Sequence, residues 1–325
     1  MKRISPLVLI CLMSLNSCEI LFSGNSNSSS ESSTASTSNS SLSSIGEDSS
    51  SEISSGTSSS TSSSSSSVGE ETGWKLSWSD EFSSASLNTN IWENMTGNGD
   101  AYGISGWGNN EAEYYQGNNS SVRDGKLVIT AKKESIGGYS YTSSRLRTKG
   151  KVKATYGKIE ARIALPAVKG LWPAFWMLPE KNYENQGWPH SGEIDIMEAK
   201  GRLTNQTSGA LHYSNDNNQH AYEAGTNVFK LTDYTTIGEY HNYGIIWNEQ
   251  GITWYCDDNQ FMTVSSSTWH TDSYSTNDSS PFNQPFHILL NMAVGGNFDN
   301  GVMPPDSFTS AEMLVDYVRI YDWIS

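Results

Sequence analysis

Short runs of strictly alternating apolar and polar residues are the feature that most limits what this chain can fold into. In "GKIEARIAL", Ile159, Ala161 and Ile163 alternate with Glu160 and Arg162. In "GITWYCDDN", Ile252, Trp254 and Cys256 alternate with Thr253 and Tyr255. "LVDYVRIYDW" places Leu314, Asp316, Val318 and Ile320 on one face. A two-residue period belongs to a strand with one face in a core. Such runs, separated by Gly, Asn and Asp clusters, predict an antiparallel all-β sandwich.

The alternation is confined to residues 72–325, which we expect to be one domain. Residues 1–17 read as a lipoprotein-type signal peptide: Lys2 and Arg3 precede an apolar run, 6–15, too short to span a bilayer. "LNSC" resembles a lipobox, which would make Cys18 a lipidated N-terminus; ordinary cleavage with free secretion is the alternative. The chain is therefore expected at the cell surface, as an outer-membrane lipoprotein, or outside the cell. Residues 18–71 are dominated by Ser, including 62–67, and hold too little apolar surface to offset the entropy of ordering, so they read as a disordered linker. Only Cys256 lies in the folded region, so no disulfide can form within it. The net charge of −15 argues against a nucleic-acid partner. The 11 Trp and 16 Tyr are rings that can cover the face of a sugar or fill a core.

One strand carries more charge than its setting explains. "SGEIDIMEAKG" holds Glu193, Asp195 and Glu198 among Ile194, Ile196 and Met197. Strict alternation would turn Glu198 into the apolar face, where an unpaired carboxylate is costly. A β-bulge near Ile196 or Met197 brings all three acids to one face. Glu193 and Glu198 would then be roughly 13 Å apart along the backbone, at about 3.3 Å per residue. Leaning together, their carboxyls could close to the ~5–5.5 Å of a retaining glycosidase. A solvated acidic face or a Ca²⁺ site remains the alternative, although calcium loops are irregular and rich in Gly, Asn and Asp.

"GEIDIMEAKG" resembles the bulged active-site strand of glycoside hydrolase family 16. "WSDEF", "WGNNEAEYY", "DGKLVITA", "YTSSRLRTKGK", "YGKIEARIALP", "GLWPAFWMLP", "LHY" and "NMAVGGNF" follow the family's order, with the laminarinase-like branch the better match. The resemblance implies a β-jelly-roll sandwich of the concanavalin A-like kind, with a concave glycan-binding cleft. It implies Glu193 as nucleophile, Glu198 as general acid/base and Asp195 as assisting acid. Trp172 and Trp188 are expected as stacking platforms and Trp107 as a further one, with Trp176 assigned to the core. Asn110, Glu111, Arg145 and His212 match polar cleft positions. No catalytic role is assigned to His190, His220, His241, His270 or His287, and no catalytic cofactor is expected. A structural Ca²⁺ would use Glu81, the Gly125 carbonyl and Asp316. The activity implied is endo-acting, retaining hydrolysis of β-1,3-glucan, with mixed β-1,3-1,4-glucan as a further substrate, by a monomer that meets a membrane only through its lipid. A galactan hydrolase or transglycosylase, or a non-catalytic glucan-binding lectin, are the alternatives.

Overall fold

The computed structural model describes residues 72–224, 228–232, 235–274 and 279–325. The expected signal peptide, Cys18 and the linker lie outside the described residues. The remainder forms two sheets of ten and nine strands. The first runs, in spatial order, Asn259–Ser265, Gly251–Cys256, His241–Asn248, Gly157–Ala164, Ser310–Ile324, Lys126–Lys132, Tyr141–Ser143 and Glu113–Tyr115. Gly73–Asp80 and Ser120–Arg123 pair onto it. The second runs His220–Glu223, Gln206–Ser214, Glu193–Glu198, Leu171–Pro179, Phe286–Val294, Arg145–Arg147 and Glu93–Met95. Val228–Lys230 and Lys153–Ala154 complete it. Among these ladders only Glu113–Tyr115 with Tyr141–Ser143 is parallel. This is the predicted antiparallel sandwich.

The alternation places the core between the sheets. Ile159, Ala161 and Ile163 from one sheet meet Phe175, Met177, Ile194 and Leu211 from the other, all of them buried. Phe286–Val294, central in its sheet, is buried at every position. Its inner residues fill the core, and on its outer face Leu289 lies under a satellite cluster with Met95, Trp107 and Tyr115. Removing one such large aliphatic side chain costs about 2–5 kcal/mol, because the close-packed neighbours cannot collapse into the gap. Asp124 and Gly125 both have positive φ and close the hairpin between Ser120–Arg123 and Lys126–Lys132. That is the twist an Asp-Gly turn supplies.

One alternation differs from its sequence reading. The register of Ser310–Ile324 against Gly157–Ala164 slips between Val315 and Tyr317. Met313 and Val315 face the core before the slip, Val318 and Ile320 after it. Asp316 is therefore not on the face of Val318 and Ile320. It lies on the outer side, where it pairs with Arg162 at 2.7 Å.

Candidate active site

The acidic strand is bulged at Ile196. Against Leu171–Pro179, Phe175 faces Met197 and Trp176 faces Asp195, leaving Ile196 without a partner. On the other side Asp195 faces Ala210 and Glu198 faces Ser208, so two residues oppose the single Gly209. The extra residue lets Ile194, Ile196 and Met197 all enter the core while Glu193, Asp195 and Glu198 share the outer face. The bulge is fixed from beneath. Trp254 donates its indole N–H to the Asp195 carbonyl at 2.8 Å. That indole lies against Gly209, where a Cβ would come within 2.4 Å of the ring. Only glycine lets the tryptophan reach the distorted ladder.

The acids stand close and poorly solvated. Asp195 is 4% and Glu198 9% exposed. His212, directly opposite Glu193 in the ladder, sets Nε2 3.0 Å from Asp195 and 3.8 Å from Glu193. Trp172 donates its indole N–H to Glu198 Oε1 at 2.9 Å. Burial raises the pKa of each acid to about 8, and Asp195 pushes both glutamates further in that direction. Near neutrality the cluster therefore cannot carry three charges, and its protons belong to the group as a whole. Partner placement biases where they sit. His212 and Arg145 favour ionised Glu193, while His212, the Trp172 indole and Lys200 favour ionised Glu198.

The expected contact residues divide into two sets. Trp172 is half-buried on the outer face, stacked on Phe298 at 5.0 Å. Trp188 is 54% exposed and overhangs His220 at 4.6 Å. Both rings lie on the outer face that carries the acids. Trp107 is not: it is 3% exposed, donates to the Gly97 carbonyl and packs with Met95, Tyr115 and Leu289. Trp176 is not a core residue, because alternation from Trp172 keeps it on the outer face beside Asp195. Arg145, expected at a polar cleft position, is buried. It is 3% exposed, with its guanidinium 4.7 Å from both the Trp107 and Trp176 rings, a buried cation under the site. Glu111 is likewise buried, accepting from Tyr115, whose hydroxyl in turn accepts from Asn291; Asn291 accepts from Trp176. Asn110 is exposed and donates to Asn297. A cavity of about 200 Å³ continues from Glu198 past Lys200, Ser208 and Phe298.

The model described as "Glycosyl hydrolases family 16" matches residues 107–318. This chain belongs to that family. A second model, for the beta-glucan synthesis-associated proteins SKN1/KRE6/Sbg1, matches residues 5–208. The chain is 39% identical over 251 residues to "Glucan endo-1,3-beta-glucosidase A1" of Niallia circulans, covering 74% of this chain and 36% of that protein. It thus spans about a third of that relative's length. It is 39% identical over 225 residues to the "Beta-glucanase" of Rhodothermus marinus, covering 67% and 77%. The solved endo-beta-1,3-glucanase of Pyrococcus furiosus is 40% identical with a TM-score of 0.69, covering 78% of this chain and 96% of its own.

Within this family 16 frame, the residues expected to hold calcium do not fit the ion as they are folded. Glu81 is engaged by Arg319 through two hydrogen bonds of 2.8 Å, and Asp316 by Arg162. Each carboxylate already has a guanidinium where a hard cation would need it free. The sequence reading missed two side chains of the site. His220 and Tyr222 stand on the strand beside His212 and complete a four-ring wall with it and Trp188. Their period-two spacing was visible, but only the ladder register shows which strand they face.

Proposed function

We propose that this chain is an endo-acting, retaining hydrolase of β-1,3-glucan, with mixed β-1,3-1,4-glucan as a further substrate. The observation that carries the reading is the bulge at Ile196, which turns Glu193, Asp195 and Glu198 to one face between Trp172 and His212. The names of the relatives in Niallia circulans and Pyrococcus furiosus support the choice of linkage. In the mechanism, Glu198 gives its proton to the glycosidic oxygen as that bond breaks. The Glu193 carboxylate attacks the anomeric carbon and forms a glycosyl-enzyme. Glu198, now ionised, takes a proton from water, which displaces Glu193 with a second inversion. Asp195 and His212 hold Glu193 in place and divide its charge. The steps need no cofactor. Trp172 and Trp188 offer ring faces to the pyranose units on either side.

The same reading places the domain outside the cytoplasm as a monomer, at the end of a linker anchored through Cys18 or freely secreted. The test is reducing-end release from laminarin, barley mixed-linkage glucan, agarose and carrageenan, with Glu193→Gln beside the wild type. Release from laminarin that disappears in the variant supports the reading. Tight glucan binding without release points to a lectin, and release from a galactan overturns the substrate assignment.

A further inference from the structure

His212 Nε2 lies 3.0 Å from the proposed assisting acid and 3.8 Å from the proposed nucleophile, and His212 is itself held. Its Nδ1 lies 2.8 Å from His220 Nε2, and the two rings stack at 5.1 Å and 21°. His220 belongs to His220–Glu223, the outermost strand of this sheet, where Tyr222 is directly opposite His212 and His220 opposite Ser214. His220 and Tyr222 therefore share the outer face with the acids. On its far side His220 meets the exposed Trp188 ring at 4.6 Å. The groups facing it are His212 from Gln206–Ser214, Tyr222 from its own strand and Trp188 from the preceding loop. Asp195 and Glu193 act on it only through His212.

We infer that His220 is a positioning residue for the hydrolytic reaction: it fixes the tautomer of His212 so that a proton always stands on Nε2, facing Asp195 and Glu193. This rests on the functional reading above and deepens it. A neutral imidazole carries one ring proton, and the hydrogen bond at one nitrogen decides the state of the other. The 2.8 Å contact admits a proton on only one of the two facing nitrogens; in the proposed arrangement it stands on His220 Nε2, which leaves the His212 proton on Nε2, on the side of the carboxylates. Packing of the His220 ring and the nearby His212 hold its pKa down at about 4, although one flank meets solvent. Near neutral pH His220 therefore meets His212 as a neutral ring. Without it, the single proton of an uncharged imidazole at this position is free to sit on Nδ1, which turns a lone pair toward Asp195. The anionic form of the Glu193–Asp195 pair then loses its donor, and ionising the nucleophile requires a higher pH.

Two substitutions separate this role from simple packing. His220→Phe keeps a ring against Trp188 and removes the donor. We expect kcat on laminarin to fall about tenfold, the worth of one hydrogen bond to a charged system. KM should stay within about twofold, and the acid limb of the kcat profile should move to higher pH. His220→Gln restores an N–H donor and should recover most of kcat and the original limb. ¹⁵N NMR of the wild type, without substrate, should find the His212 proton on Nε2; in His220→Phe the two tautomers should mix. Wild-type kcat and pH profile in His220→Phe would overturn the proposal, as would a wild-type proton on Nδ1. The NMR arm is independent of substrate, so a protein that failed to cut laminarin would sink the glucanase reading and still leave the tautomer decided.

Discussion

Replacing Glu198 by Gln should inactivate the enzyme and make it more stable, by an amount set by pH. Glu198 is 9% exposed and its pKa stands at about 8. In the unfolded chain a glutamate titrates at about 4.3. Because the folded value is the higher one, the folded state keeps its proton where the unfolded chain has lost it. Stability then falls as pH rises from about 4 to about 8 and levels off above, where both forms are ionised. The full difference corresponds to about 5 kcal/mol at 1.36 kcal/mol per decade. That is a ceiling, since Asp195 and Glu193 share the same protons and relax when one charge is removed. A return of roughly 2–3 kcal/mol at pH 8 is reasonable, about 5–10 °C in Tm for a domain of this size. Glu198→Gln retains an acceptor for Trp172, so at pH 4 the two proteins should melt within about 1–2 °C. Thermal unfolding by circular dichroism from pH 4 to pH 9 measures both curves. A difference that does not grow with pH, or a variant less stable at pH 8, would refute the argument that burial keeps this carboxyl protonated.

Two further substitutions address the frame of the site. Gly209→Ala drives a methyl group into the Trp254 indole and should cost about 2–4 kcal/mol, read as a lower Tm with loss of activity, because the bulge must shift to make room. Trp172→Phe removes the donor that favours ionised Glu198, so the alkaline limb of kcat/KM should move up in pH while kcat falls roughly tenfold; pH-rate profiles on laminarin would check it.

Local patterns carried most of the architecture. The alternations in 157–164 and 251–256 correspond to core-facing strands, and the acidic run could be fitted to its neighbours only by a bulge, found at Ile196. What the sequence hid depended on pairing or on packing at longer range. Asp316 was assigned to the inner face because the slip after Val315 leaves no local mark. Trp107 and Trp176 were exchanged for the same kind of reason. The loop before Glu113–Tyr115 folds Trp107 down onto Leu289, and the ladder keeps Trp176 on the face of Asp195. His220 gave no signal by itself; its meaning came from standing two residues along the strand from the partner of His212. Arg145 is expected among the polar cleft residues, and nothing in its own strand marks that two indole rings bury its guanidinium.

In the proposed mechanism Glu193 and Glu198 cleave a β-1,3-glucan by two successive displacements. The most direct measurement is ¹H NMR of laminarihexaose during the first turnovers, before the products mutarotate. Internal cleavage whose first-formed reducing end is the β-anomer, absent with Glu193→Gln, is the predicted result. An α-anomer appearing first would show a single displacement and contradict the assignment of Glu193 as nucleophile.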